Sequence, residues 1–166
     1  MNRRQFFRLG LGGLAVLAVA RIAGAAAPPG VLTEADGLRL AAIARAMLGP
    51  VMPAEMAPRV AQAIDGMVRN LPPVTQSELR DLLDLLGLAP ARLLLAGFWS
   101  DWYEVPAAEV SAALDGWRSS RFALLRGAYG GLHELVFAAW YGDPAAWMRI
   151  GYPGPPEIER PKAVAR

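Results

Sequence analysis

His133 is the only histidine in the chain, and cysteine is absent, so the supply of reactive side chains is thin. A metal site needs three or four converging ligands. Glu134, the neighbour of His133, projects about 100° away around a helix, so the two do not form one. Nucleophilic catalysis lacks a GxSxG elbow, and one histidine would have to serve every serine. Asp81/Asp84 and Glu157/Glu159 are close in sequence, but they read as solvated helix and tail charges rather than as an acid–base pair. The missing cysteines exclude disulfides, cysteine-ligated iron–sulfur clusters, CxxCH haem and thiolate zinc. The glycines of GLGG at 10–13 follow no strand, so they make no phosphate loop. The chain reads as non-catalytic, with no metal and no cofactor of its own.

Its aromatic residues are more informative. Trp99, Trp102 and Tyr103 crowd one loop, while Trp140, Tyr141, Trp147 and Tyr152 crowd a turn near the C-terminus. Trp117 and Trp140 fall on apolar helical stripes and are expected in the core. Trp102, Tyr103 and Tyr152 are flanked by Asp, Glu, Gly and Pro, a setting expected to leave them exposed. Exposed tryptophan and tyrosine anchor protein–protein contacts. In GYPGPPEIERPKAVAR, Pro153, Pro155 and Pro156 favour extended chain with little entropy left to lose on binding. Trp102, Tyr103, Trp147, Tyr152, Pro153, Pro155 and Pro156 are therefore the expected partner-binding residues.

The elements that position these residues are helical almost throughout, with Pro and Gly as punctuation. Thr33 is expected to cap a helix with Asp36 in its first turn and Leu40, Ile43, Ala44 and Met47 on one face. Gly49-Pro50 ends it. Pro58 suits the first turn of the next helix, whose stripe is Val60, Ile64, Met67, Val68 and Leu71. Pro72-Pro73 stops that helix, and TQSE at 75–78 reads as a capping box for a third, with Leu79, Leu82, Leu83 and Leu86 buried. Pro90 opens a short leucine-rich helix that runs into FWSDWYEVP. Pro106 starts another, with Val110, Ala113, Leu114 and Trp117 inward. The longest helix is expected from about 121 to 140, with Phe122, Leu125, Tyr129, Leu132, Val136 and Trp140 in its stripe. Gly127, Gly130 and Gly131 suggest close approach of a neighbouring helix, with a kink as the second reading. Asp143-Pro144 is a cap followed by an N1 proline, opening a short helix that ends at Gly151. No stretch alternates with period two for long. The fold class is all-α: one domain of five to seven helices over residues 33–151, after a signal peptide (1–25) and a linker (26–32), and before a Pro-rich tail (152–166).

The first 25 residues read as an export address. Arg3 and Arg4 precede Phe6 and Phe7 in NRRQFFRLG, and a twelve-residue apolar run follows, Leu9 to Ala20. A membrane-spanning helix needs about 20 apolar residues, so the run is short for one. Ala23-Gly24-Ala25 offers a peptidase site before Ala26; a leader kept as an anchor is the other reading. Four of the 17 basic residues lie in this segment and none of the 15 acidic ones, which leaves 13 against 15 and a formal charge of −2. No basic stripe remains for a phosphate backbone, so nucleic acid is not an expected partner. The twin-arginine translocase is, and it carries proteins already folded.

The leader, the helical body and above all WYGDPAAWMRIGYPGPP at 140–156 resemble the gluconate 2-dehydrogenase small subunit (subunit 3) family. That resemblance implies a periplasmic accessory subunit of a large FAD-dependent dehydrogenase of the glucose–methanol–choline type, in some systems with a cytochrome subunit. It also implies an escort role, in which this chain docks on the folded, FAD-loaded partner, lends it the export signal and stays bound. The alternative reading is a stand-alone periplasmic helical module for a hydrophobic ligand, for which an apolar pocket of about 300 Å³ or more is expected.

Overall fold

The computed structural model describes residues 32–154; Arg3, Arg4, Phe6 and Phe7 of the expected export signal, and Pro155 and Pro156 of the tail, lie outside them. Seven α-helices and no strand occur among the described residues, so the all-α expectation is correct. Helix α1 (Glu34–Leu48) starts at a capping box: the Thr33 hydroxyl accepts from Asp36 N–H, and the Asp36 carboxylate accepts from Thr33 N–H. Leu40, Ile43, Ala44 and Leu48 make its buried face. Helix α2 (Ala57–Val68) buries Val60, Ile64 and Val68 at the predicted spacing.

Helix α3 runs Pro73–Gly87, three residues earlier than the TQSE box implied, since a Thr75 cap makes Gln76 the first helical residue. Pro73 at the first position fixes φ where the N–H would be orphaned anyway, so the proline pair opens a helix instead of ending one. Thr75 and Glu78 thus fall inside α3. Gln76 reaches back, and its amide donates to the Leu71 carbonyl at 2.9 Å, ordering the turn that follows α2. Helix α4 (Ala89–Ala96) and α5 (Ala107–Arg118) follow, the latter burying Val110, Leu114 and Trp117.

Helix α6 (Ala123–Tyr141) buries Leu132, Val136, Ala139 and Trp140. Phe122, expected on that stripe, is instead the exposed residue before the first turn. A Cβ at Gly127 or Gly130 would meet nothing within 4 Å, so neither glycine serves close helix packing. Asp143 caps the short α7 (Pro144–Trp147) by accepting from Ala145 N–H at 2.9 Å, and a 3₁₀ turn (Met148–Ile150) ends at Gly151 in the left-handed region.

Helix α1 is the centre, with α2 and α5 against it; α6 lies across α2 and α5 and closes the bundle. The closest backbone neighbour of α3 is α4, and α3 reaches α1 mainly through side chains. Among the described residues no helix is long and apolar enough to cross a membrane.

Candidate partner-binding surface

The loop between α4 and α5 is held from beneath by buried charge. Asp36 has no exposed surface. Its two oxygens accept from Arg80 Nη1 at 2.6 Å and Nη2 at 3.0 Å, and from Arg39 Nη1 at 3.2 Å. Arg39 turns its other edge to Asp101, with Nε 2.9 Å from Oδ1 and Nη2 2.8 Å from Oδ2. Arg92 lies 3.6 Å from the same Asp101 and donates to the carbonyls of Gly87 (2.6 Å) and Trp99 (3.0 Å). Arg39 passes so close to Gly87 that a Cβ there would sit 3.3 Å from its Nη1. The C-terminal carbonyls of α3 thus gain cationic donors where the helix dipole favours them.

Burial disfavours the ionised form of both aspartates, but the arginine hydrogen bonds outweigh it. Asp36, bonded by Arg80 and Thr33, and Asp101, bonded by Arg39 and the Trp102 N–H, are both held below the ordinary carboxylate range. Glu78 goes the other way, raised by burial and by Asp81 beside it.

This framework corrects the expectation for Trp102. Its side chain is fully buried, its indole N–H donates to the Leu86 carbonyl at 3.2 Å, and its ring stands edge-on between Phe98 and Trp117 at 5.0 and 5.6 Å. Asp101 faces inward to Arg39, so the following backbone turns the indole into the core; Trp102 therefore offers no surface to a partner. Tyr103, next along, stays exposed. Trp99 is 61% exposed, and with Leu94 at 83% and Leu93 it leaves α4 an apolar outer face. Trp117 and Trp140 are buried as expected.

The C-terminal turn presents a second apolar surface. Trp147 is half-buried, and its indole N–H donates to the Tyr141 carbonyl at 2.7 Å. Tyr152 N–H donates back to the Trp147 carbonyl at 2.9 Å, and the two rings meet edge-on at 5.7 Å. Gly154, at φ +103°, lets the chain pass against the Trp147 ring, where a Cβ would lie 3.2 Å from it. The start of the tail, with exposed Pro153, therefore folds onto its own domain. Around this anchor Tyr141, Met148, Ile150 and Tyr152 are exposed, Met148 to 83%.

A ladder on α6 runs into this patch. Tyr129, His133, Phe137 and Tyr141 follow at four-residue steps, and the His133 and Phe137 rings stack 18° from parallel with centroids 3.9 Å apart. His133 is packed as an aromatic. No group of three His, Asp or Glu among the described residues could hold a metal.

An open groove of about 220 Å³ lies beside Tyr103, lined by Leu38, Ala42, Arg45, Pro58, Val105 and Ala107 among others. Arg59, adjacent to its wall, donates to Asp143 at 3.1 Å and so ties the groove to the cap of α7.

No protein-family model, curated protein or solved structure matches the chain.

Proposed function

We propose that this chain is the non-catalytic small subunit of a periplasmic, FAD-dependent dehydrogenase of the glucose–methanol–choline type. It docks on the folded flavoprotein, supplies the twin-arginine signal of Arg3, Arg4, Phe6 and Phe7, and remains in the exported complex, to which a cytochrome subunit can attach. The observation that carries the docking role is the apolar surface of Tyr141, Met148, Ile150 and Tyr152, pre-shaped by the hydrogen bonds and ring contact of Trp147. Side chains already ordered lose less entropy on binding, so such a patch converts contact area into affinity efficiently. The partner and its FAD come from the resemblance of residues 140–156 and of the leader, not from the geometry.

The competing reading, a binder of a hydrophobic small molecule, has less behind it. The groove of about 220 Å³ is open and falls short of the roughly 300 Å³ at which small-molecule sites begin.

Replacing Arg3 and Arg4 together with lysine tests the escort role in the native host. The flavoprotein should accumulate in the cytoplasm along with this chain. A flavoprotein still found in the periplasm would overturn the proposal.

A further inference from the structure

The groove beside Tyr103 is too small for a free ligand of ordinary size but adequate for a side chain. Its walls come from α1 (Leu38, Ala42), the start of α2 (Pro58) and the segment into α5 (Val105, Ala107). Arg45 is the single charged residue in its lining, and it is exposed. The Arg45 guanidinium makes no ion pair or hydrogen bond among the described residues; Arg39, Arg59, Arg69, Arg80, Arg92 and Arg118 bond a carboxylate or lie within 4 Å of one, and of the arginines without a carboxylate only Arg45 lines the groove. An unpaired guanidinium beside an apolar cleft is complementary to one kind of occupant: an apolar group with a carboxylate next to it.

We propose that the groove is a socket for a bulky apolar side chain of the flavoprotein, flanked by an Asp or Glu that pairs with Arg45. The inference rests on the proposed function and deepens it by naming the chemistry of one contact. Two features of the fold support a socket here. Asp101, clamped by Arg39 and itself accepting from Trp102 N–H at 2.8 Å, fixes the backbone that carries Tyr103 and Val105 to the rim. The Arg59–Asp143 pair braces the groove wall, through the residue after Pro58, against the cap of α7. An apolar anchor in a pocket with an adjacent desolvated charge pair is the usual composition of an interface hot spot.

The test uses the full chain, tagged and purified from the periplasm of its host, with flavin absorbance per chain as the readout and dissociation rate as the second measure. Arg45→Glu reverses an exposed charge and leaves the core untouched; it should speed dissociation about thirtyfold, the effect of a hot-spot residue. Arg45→Lys should recover much of that, and Ala107→Trp, which fills the groove from an exposed position, should weaken the complex similarly. Arg118→Glu, whose partner is Asp115 on the same helix, should change little. A wild-type chain that brings no flavoprotein overturns both the function and the socket. A wild-type complex that survives Arg45→Glu and Ala107→Trp within twofold overturns the socket alone. A small apolar molecule that co-purifies with the chain and disappears in Ala107→Trp also overturns it, in favour of a ligand site. Thermal melting of each variant separates lost binding from lost fold.

Discussion

Asp36→Asn should be among the most damaging single substitutions in the domain. Asp36 is fully buried and accepts from five donors: two on Arg80, one on Arg39, and the N–H and hydroxyl of Thr33. Asparagine keeps the shape but removes the charge and turns an NH₂ toward donors, leaving Arg80 in a largely buried site without its main counter-ion. Removing one partner of a buried pair costs about 3–5 kcal/mol. A domain of this size has about 5–15 kcal/mol in all, so about a fifth or more of its stability is at stake. At about 4 °C per kcal/mol the melting temperature should fall by ~12–20 °C. The assay is thermal and urea unfolding of residues 26–166 followed by circular dichroism. Asp84→Asn supplies the contrast, because Asp84 also pairs with Arg80 but is 42% exposed, and exposed pairs contribute about 0–1 kcal/mol. The double change Asp36→Asn/Arg80→Met should be less destabilised than Asp36→Asn alone, since it leaves no uncompensated Arg80 beside the lost carboxylate. A loss below about 1 kcal/mol for Asp36→Asn would refute the view that this cluster ties α3 to α1.

The same cluster predicts acid sensitivity. Asp36 and Asp101 have folded pKa values below their unfolded value of about 3.9, so their contribution is full above that value and is lost as pH falls through the folded ones. Glu78, raised in the fold, acts oppositely: its small penalty, present at neutral pH, fades as pH drops through its folded pKa. Acid titration should therefore show stability holding near neutrality and falling below about pH 4, with Asp101→Asn flattening the fall. Trp102→Ala should cost about 3–5 kcal/mol in unfolding experiments, as for a buried aromatic, while Tyr103→Ala leaves stability within about 0.5 kcal/mol and weakens only the complex. Gly127→Ala and Gly130→Ala should each stabilise by about 0.5–1 kcal/mol in thermal melts, because a helical Cβ has open space at both.

Local chemistry made much of the fold readable. Thr33 with Asp36, Asp143 with Pro144, and the Val60–Ile64–Val68 stripe each have their physical cause within one or two turns, and each is where the sequence placed it. The misreadings come from competition and from distance. Thr75 and Glu78 carry a valid capping pattern, but Pro73 is the stronger start signal and takes the first position. Trp102 has polar neighbours, yet its fate is set by the Leu86 carbonyl sixteen residues away and by Trp117. The Arg39–Asp101 contact spans 62 positions, and no periodicity within a helix could reveal it. The α6 ladder did have a signal, the four-residue spacing of Tyr129, His133, Phe137 and Tyr141. That spacing is ambiguous in sequence, because Tyr129 also fits the buried stripe and histidine is a ligand type as well as an aromatic ring.

Native mass spectrometry of the tagged chain, released gently from its native host, tests the proposed subunit role most directly. The account predicts one assembly whose mass equals this polypeptide plus a larger protein carrying FAD, with no prosthetic group left on the small chain after they separate. A solitary polypeptide, or one that retains its own bound cofactor once the assembly is split, would contradict it.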